Sequence, residues 1–352
     1  MRVLFAVEAG FKAGLGHLLR CRALLLELKA RGHTVDLWLH GDDSSLAGRI
    51  WPAEMQISRS DGNDPIGTAC DGIGEQLNHN HYDWLVVDGY SFSGHALCEQ
   101  LAAHNANLLM IDDLGDRALK ADIILNQNSA HADVYENSSV VASSFLLGPQ
   151  YALIDDVYAK ARPAVPAHEK LARVLISFGG VDRHGRTIRV VDLLSRHAGT
   201  LDIVVVVGPY FPRLAELDGR CGNNSLRVVQ NVSNLAELMR QCDLMVTAAG
   251  STVWQACCVG VPMLVLQTVD NQSLLVKTMR EFEAALCLDV SENPGKDAGI
   301  LDEDFFEIFQ KIQATELRAR ISNNAMQLVD GNGARRVASA LESWNKRNCE
   351  KR

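Results

Sequence analysis

The sequence lacks several features that would assign it to a class at once. Its nine cysteines include no pair at CxxC spacing and no repeating framework, which argues against a zinc site and against a disulfide scaffold. No stretch approaches the ~20 apolar residues of a membrane span, and the N-terminal apolar run reaches an acid at Glu8, too early for a signal-peptide core. We therefore expect a cytoplasmic protein whose thiols are reduced.

Positive charge is also scarce. The chain has 34 lysines and arginines against 43 aspartates and glutamates, which gives a net charge of -9. Such a chain has no global attraction for nucleic acid or for an anionic membrane surface, so any phosphate site must be built locally. We expect a small-molecule partner, with no nucleic acid and no membrane.

The chain has ample material for two hydrophobic cores. It is 352 residues long and 47% hydrophobic, and that length favours two domains. In both halves, short apolar runs alternate with helix-like stretches, which is typical of a doubly wound, mostly parallel α/β sheet. The alternation lapses between Pro149 and Lys170, and the chain reads as helical after Asp302. We predict two Rossmann-like domains, 1–164 and 165–352, the second ending in helices, with a ligand cleft between them.

The loop after the first predicted strand contains Gly14, Gly16 and His17. Its glycines allow a ligand to approach the backbone, but Leu19 replaces the third glycine of a dinucleotide fingerprint and no Walker lysine follows. His17 opens the next helix and is a candidate general base, the alternative being a capping or packing histidine. Arg20, one turn further on, could face the same cleft and meet a phosphate, or it could be a solvated helix arginine.

Two loops of the second half follow predicted strands and begin helices. One contains Gly179 and Gly180, and the other contains Gly250, Ser251 and Thr252. Both can present backbone N–H groups at a helix N-terminus, and two such loops in one domain suit a diphosphate. Each loop alone could instead be a tight turn with a capped helix.

Polar side chains follow three further strands. Asn271 and Gln272 offer amides to sugar hydroxyls or to a uracil edge, unless they form an Asx turn that caps the next helix. In the first half, Asp88 and Tyr90 follow one strand and the pair Asp112–Asp113 follows another. Adjacent aspartates need not converge, and no set of His, Asp and Glu has convincing ligand spacing, so we expect no metal and no other cofactor.

The joint order of these motifs resembles that of the PseG hydrolases of pseudaminic acid biosynthesis, nearly from end to end of the chain. The matching blocks are Gly14–Cys21, Asp88–Tyr90, Leu125–Asn128, Leu147–Leu153, Ile176–Asp182, Ala249–Trp254, Asp270–Gln272 and Asp330–Val337. That family cleaves UDP-2,4-diacetamido-2,4,6-trideoxy-β-L-altropyranose and shares the GT-B fold. The resemblance therefore implies two Rossmann-like domains and a UDP-sugar substrate.

The resemblance also implies roles for single residues. His17 would activate or position water for attack at the anomeric carbon, with inversion and departure of UDP. The other positions would contact substrate: UDP at Gly180, Gly250, Ser251 and Thr252, the donor or its sugar at Asn271 and Gln272, and the sugar at Tyr90. One base suffices for this chemistry if backbone dipoles stabilise the diphosphate that leaves.

Two positions depart from the family pattern. Ala6-Val7-Glu8-Ala9 stands where members have an Arg-Ala-Asp-like run, and Gln255 stands where many GT-B proteins place a ribose-binding glutamate. An amide lacks the charge-assisted hydrogen bond of a carboxylate. The leading hypothesis is a metal-independent UDP-sugar hydrolase. The alternatives are a GT-B glycosyltransferase that passes the sugar to an acceptor and a nucleotide-sugar sensing module without turnover.

Overall fold

The chain divides into two units that each contain one sheet. The computed structural model describes residues 1–9, 15–41, 50–51, 57–60, 66–92, 94–163, 170–180, 182, 184–197, 199–208, 211–220, 222–230, 232, 234–290 and 300–349. The first unit is Met1–Asp155 together with Gly331–Arg352, and the second is Asp156–Asp330.

The first unit is built on a seven-stranded sheet in the order β3-β2-β1-β4-β5-β6-β7, and neighbouring strands are parallel. The strands are β1 (Arg2–Glu8), β2 (Thr34–His40), β3 (Ile57–Ser60), β4 (Trp84–Asp88), β5 (Asn107–Ile111), β6 (Leu119–Asn126) and β7 (Val140–Leu147). The helices among them are α1 (Gly16–Ala30), α2 (Ile66–His79) and α3 (Gly94–His104), with 3₁₀ segments at Ala132–Tyr135 and Pro149–Tyr151.

The local sequence accounts for β1 and α1. Residues Val3–Val7 of β1 are all buried, as expected for a central strand with both faces covered. In α1, Leu18, Leu25 and Leu28 lie on one buried face at helical spacing. Gly32 follows α1 with a left-handed φ of +82°, which ends the helix.

The second unit contains a six-stranded parallel sheet in the order β10-β9-β8-β11-β12-β13. The strands are β8 (Arg173–Ser177), β9 (Asp202–Val207), β10 (Ser225–Gln230), β11 (Leu244–Ala248), β12 (Met263–Gln267) and β13 (Leu286–Asp289). The helices are α4 (Asp156–Lys160), α5 (Arg186–Ser195), α6 (Leu235–Gln241), α7 (Thr252–Val259), α8 (Ser273–Glu281), α9 (Asp302–Ile312) and α10 (Thr315–Leu328), with 3₁₀ segments at Leu214–Leu217 and Asp270–Gln272.

Each sheet has one point at which the strand order reverses. In the first unit it lies between β1 and β4, and in the second it lies between β8 and β11. At such a point the loops that follow the two strands diverge, and they leave a crevice at the carboxyl edge of the sheet. Each unit therefore has a defined place for a ligand.

The last helix, α11 (Gly333–Cys349), belongs to the first unit. Ala334, Val337 and Leu341 recur at helical spacing and are buried in the core of that unit, against α1 and its sheet. The ring of Trp344 packs edge-on against Trp84 of β4, with 6.2 Å between ring centroids.

The predicted domain division therefore needs two corrections. The first unit gives way to the second at Asp155, before the predicted boundary at 164, and α11 covers the first unit although the prediction 165–352 places it in the second. An amphipathic pattern identifies a buried helix face but not the core that it covers.

The strands β3 and β13 have four residues each, which is too short for a periodic signal in the sequence. Within the described residues, no helix is both long enough and apolar enough to span a bilayer.

Candidate active site

The switch point of the first sheet brings His17 and Asp88 together. Asp88 is the last residue of β4, and His17 is the second residue of α1, the helix that follows the neighbouring strand β1. His17 Nδ1 lies 2.6 Å from Asp88 Oδ1, and both side chains are buried. The strand order thus joins two residues that are 71 positions apart in sequence.

The contacts of His17 determine which ring nitrogen carries the hydrogen. Asp88 is a hydrogen-bond acceptor, so Nδ1 donates to it, and the contact of 3.0 Å between Nδ1 and Arg20 Nη2 joins two donors. Within the described residues, Nε2 has no hydrogen-bond partner. In this tautomer the free Nε2 carries a lone pair and can accept a proton from a ligand.

Arg20 holds Asp88 from the other side. Its Nε and Nη2 donate to Oδ2 and Oδ1 of Asp88, each at 2.6 Å, in a bidentate pair. The Cys21 thiol donates to Asp88 Oδ2 at 3.3 Å. Burial alone would raise the pKa of Asp88, but Arg20 and then His17 hold that pKa well below its usual range. Asp88 is therefore a carboxylate.

A second buried carboxylate, Asp113, lies on the far side of Arg20. Its Oδ1 accepts from Arg20 Nη1 at 2.6 Å and from Asn128 Nδ2 at 3.3 Å. Its Oδ2 accepts from Arg20 Nη2 at 3.1 Å and from the Tyr90 hydroxyl at 3.0 Å. The Tyr90 ring lies edge-on to the His17 ring, with centroids 5.3 Å apart, and is partly exposed. We call His17, Arg20, Asp88, Tyr90 and Asp113 the His17 cluster.

Arg20 differs from both sequence interpretations. It is 6% exposed, so it is not a solvated arginine. Three of its nitrogens donate to Asp88 and Asp113, so it is not placed to bind a phosphate directly. Its role as a substrate contact is therefore corrected: Arg20 joins two carboxylates beside His17.

Glu8, one of the departures from the family pattern, shapes the loop that carries Tyr90. Its Oε2 accepts from the backbone N–H of Tyr90 at 2.6 Å and of Ser91 at 3.2 Å. Gly89 has a φ of +156°, and a Cβ there would lie 2.5 Å from Glu8 Cβ. Because only glycine allows this approach, Glu8 can hold the backbone that places Tyr90 beside His17.

The pair Asp112–Asp113 diverges, as the sequence analysis anticipates. Asp112 Oδ2 accepts from the Gly115 N–H at 2.8 Å and from the Tyr135 hydroxyl at 3.0 Å, so it stabilises its own loop. Of this pair, Asp113 is the aspartate that accepts hydrogen bonds from Arg20. Among the described residues, no group of three His, Cys, Asp or Glu side chains is arranged to hold a metal ion.

The switch point of the second sheet brings the two glycine loops together. β8 and β11 are adjacent, and Gly179 and Gly250 follow their carboxyl ends. A Cβ on either glycine would meet no atom of the described residues within 4 Å, so the described structure leaves the space beside both open. Gly179 and Gly180 therefore lie at the same edge of the sheet as Gly250. This arrangement suits a ligand that approaches the backbone.

The side chains at the start of α7 bear on whether this loop is a helix cap or a binding loop. Ser251 precedes the helix, but its side chain makes no capping hydrogen bond. Within the described part of the chain, the hydroxyls of Ser251 and Thr252 have no hydrogen-bond partner, and both residues are half-buried. In the loop after β8, by contrast, Asp182 caps α5 by accepting from the backbone of Arg186 and Thr187 at 3.0 and 2.6 Å.

The remaining candidates of the second unit lie near the same edge. The Gln272 side-chain oxygen accepts from Thr268 N at 2.7 Å and Oγ1 at 3.1 Å, so its amide nitrogen remains as a donor. Asn271 is exposed, and the Gln255 side chain, buried in the first turn of α7, has no hydrogen-bond partner among the described residues. All three amides can serve a ligand.

Sequence reasoning missed Arg186. This buried residue of α5 donates from Nη2 to the carbonyls of Thr268 and Val290, each at 3.2 Å, and its Nε has no partner in the described part of the chain. Burial lowers the pKa of Arg186, and Asp182 opposes that shift. Arg186 fixes the loop that leads to Gln272. No periodicity or motif distinguishes it in the sequence.

Of the two predicted loop glycines before His17, the structure describes one. Gly16 is the first residue of α1, directly before His17, and it stays a predicted substrate contact. Gly14 lies outside the described residues.

Comparisons with known proteins extend over the whole chain. No protein-family model matches it. It is 22% identical over 348 residues to the spore coat polysaccharide biosynthesis protein SpsG of Bacillus subtilis (strain 168), which covers 97% of this chain and 98% of SpsG. Among solved structures, it superposes on MurG of Acinetobacter baumannii with a TM-score of 0.68 and 15% identity, over 97% of this chain and 99% of MurG.

A third similar protein is CalG4, the calicheamicin glycosyltransferase, with a TM-score of 0.64 and 14% identity over 98% of each chain. These superpositions concern the fold, and they confirm the predicted class. The chain has two parallel-sheet, Rossmann-like α/β domains of the kind found in GT-B glycosyltransferase structures.

Proposed function

We propose that this protein is an enzyme of glycan biosynthesis that hydrolyses a UDP-linked 2,4-diacetamido-2,4,6-trideoxyhexose with inversion and without a metal. The observation that carries the proposal is the His17–Asp88 pair. Nδ1 is bound to a buried carboxylate at 2.6 Å, and Nε2 has no hydrogen-bond partner among the described residues, which is the arrangement of a general base. The free sugar would then enter nonulosonate biosynthesis, as the resemblance to the PseG hydrolases implies.

In the proposed reaction, His17 Nε2 takes a proton from water as the water oxygen attacks the anomeric carbon. The bond between that carbon and the UDP oxygen breaks on the opposite face, and UDP leaves with the electron pair. The Asp88 carboxylate stabilises the imidazolium that forms. The exposed face of Tyr90 beside His17 is proposed to line the sugar.

The second unit is proposed to hold UDP. Within the described residues, the space beside Gly179 and Gly250 is open and the hydroxyls of Ser251 and Thr252 have no hydrogen-bond partner, which suits a diphosphate at the N-terminus of α7. Backbone dipoles that stabilise a leaving diphosphate reduce the need for a general acid. Gln255 is proposed to contact the ribose, and Asn271 and Gln272 the donor sugar.

A glycosyltransferase is the second candidate, and the similarity to MurG and CalG4 favours it. The same base could take the proton of an acceptor hydroxyl instead of water. The name of SpsG, a spore coat polysaccharide biosynthesis protein, fits either reaction. The non-catalytic alternative is a module that binds the nucleotide sugar without turnover.

One assay separates the three functions. The protein is incubated with the UDP-sugar, with and without a sugar acceptor, in water labelled with ¹⁸O, and the release of UDP is followed by phosphorus NMR. We expect UDP without acceptor, with the label on the anomeric carbon of the sugar and not on UDP. Release only with acceptor would identify a transferase, and binding without release would identify a sensing module.

A further inference from the structure

We propose that Asp113 is a positioning residue that, together with Asp88, gives the His17 cluster one carboxylate more than Arg20 balances. The excess negative charge favours the protonated form that His17 reaches when it accepts a proton. This inference rests on the proposed function of His17 as a base. It assigns Asp113 an effect on the strength of that base although Asp113 does not touch the reacting atoms.

The hydrogen bonds connect Asp113 to Asp88 through Arg20. Arg20 lies between the two carboxylates, with Nη2 donating to both, at 2.6 Å to Asp88 and at 3.1 Å to Asp113. Asp113 is buried, and so are Arg20 and Asp88. Because these side chains and His17 are all buried, the field of a charge on Asp113 is weakly screened at His17.

The charges of the described groups around His17 do not sum to zero. The groups that face it are Asp88 from β4, Arg20 and Cys21 from α1, Tyr90 from the loop after β4 and Asp113 from the loop after β5. Burial and then neighbouring carboxylates raise the pKa of both Cys21 and Tyr90, so these two groups are neutral. Two carboxylates and one guanidinium remain among these groups. Glu8 and Arg117 face Tyr90 from outside the cluster, and Arg117 is paired with Asp112, so they add no net positive charge.

The carboxylates stay ionised in the buried cluster. Burial alone would raise the pKa of Asp113, but Arg20 and His17 hold it below its usual range. With neutral His17 the cluster carries one negative charge, and with protonated His17 it carries none. With neutral His17, one buried negative charge is left uncompensated, which is energetically costly. Proton uptake by His17 compensates that charge.

A purely structural role for Asp113 makes a different prediction. Asp113 accepts the Tyr90 hydroxyl and so fixes the ring that lies beside His17. If that were its whole function, Asp113→Asn and Tyr90→Phe would have similar effects. Neither variant would then change the pH at which the base titrates.

The test compares Asp113→Asn and Tyr90→Phe with wild type in UDP-sugar hydrolysis as a function of pH. For Asp113→Asn we expect the plateau of kcat to fall on the order of tenfold. We also expect the acidic limb of the kcat profile to move to lower pH by about one unit. KM and UDP affinity should change little. For Tyr90→Phe we expect an altered KM and an unmoved acidic limb. An unmoved limb in Asp113→Asn would overturn the proposal.

Two NMR measurements need no turnover. The ¹³C signal of the His17 ring, assigned by its loss in His17→Asn, should titrate at lower pH in Asp113→Asn than in wild type. In wild-type protein, the Asp113 carboxyl carbon should show an ionised group throughout the neutral range. A protonated Asp113 would overturn the proposal even if the Asn variant does not fold.

The outcomes separate this inference from the proposed function. If wild type releases no UDP, the proposed function fails, whereas the ring titration still tests the charge effect of Asp113. If wild type hydrolyses the UDP-sugar and His17→Asn does not, yet Asp113→Asn titrates like wild type, only the role of Asp113 fails.

Discussion

At the scale of single residues, Asp88 fixes the hydrogen of His17 on Nδ1. In Asp88→Asn, the amide can present its NH₂ to Nδ1, and the ring then carries its hydrogen on Nε2, where it cannot accept another. We expect kcat to fall by on the order of 10³–10⁴-fold, as is typical when a base is left in the wrong tautomer. UDP affinity, measured by calorimetry, should stay near the wild-type value. A variant with near-normal kcat would show that Asp88 does not orient the base.

The same carboxylates predict how stability depends on pH. Because the pKa of Asp88 and of Asp113 is lower in the folded protein than in the unfolded chain, the folded state binds fewer protons. Their contribution is fully present above their unfolded pKa values of about 4, and it is lost as the pH falls further toward the folded pKa values.

Urea unfolding of wild type and of Asp113→Asn, measured between pH 3 and pH 7, checks this linkage. We expect the stability difference between them to shrink as the pH falls below about 4. A difference that stays constant with pH would contradict it.

The residues of the His17 cluster were only partly predictable. His17 and Arg20 stand three positions apart, so their common face was evident from helical spacing. The partners of Arg20 were not, because Asp88 and Asp113 come from β4 and the loop after β5, and only the strand order brings them to α1. The motif blocks drew attention to Asp88 and Tyr90, while the role of Glu8 depends on the close approach of Gly89.

At the scale of elements, the start of α7 offers a test of the proposed UDP site. A Cβ at Gly250 would meet no atom of the described residues within 4 Å, so Gly250→Ala should leave the fold unchanged or more stable by about 0.4–1 kcal/mol. The new methyl group would occupy the space proposed for the diphosphate. We expect UDP affinity to fall at least about tenfold, a loss of about 1.4 kcal/mol.

Gly74→Ala is the matched control for Gly250→Ala. Gly74 lies in α2 of the first unit, and its added Cβ would make only an ordinary contact of 3.6 Å with the Gln100 side chain. It should leave UDP affinity unchanged. Unchanged affinity in both variants, by calorimetry, would remove Gly250 from the proposed site.

Elements were more predictable than their contacts. The alternation of apolar runs and helix-like stretches located β1, β4, β8 and β11, the strands that flank the two switch points, because each is a buried run followed by a loop. It did not locate the short edge strands β3 and β13. A short edge strand has neither the length nor the burial that generates a clear pattern.

At the scale of the whole molecule, α11 links the end of the chain to the first unit. Leu341 is completely buried there, so Leu341→Ala should destabilise that unit by about 2–5 kcal/mol. The second unit should keep its UDP affinity, since α11 belongs to the other core. Ser343→Ala, an exposed change on the same helix, should cost no more than about 0.5 kcal/mol.

Thermal unfolding monitored together with UDP binding distinguishes these outcomes. A loss of UDP binding in Leu341→Ala at a temperature where wild type binds would contradict the assignment of α11 to the first unit. The sequence predicted the helix but not the unit to which it belongs. An amphipathic pattern shows that one helix face is buried, but it does not show which core buries that face.

The central claim is that His17 is the base of a hydrolase, and His17→Asn tests it most directly. The measurement is UDP release from the UDP-sugar without acceptor, made in parallel with UDP affinity by calorimetry. We predict unchanged UDP affinity and a fall in kcat of about 10²–10⁴-fold. Near-normal turnover by His17→Asn would contradict the claim.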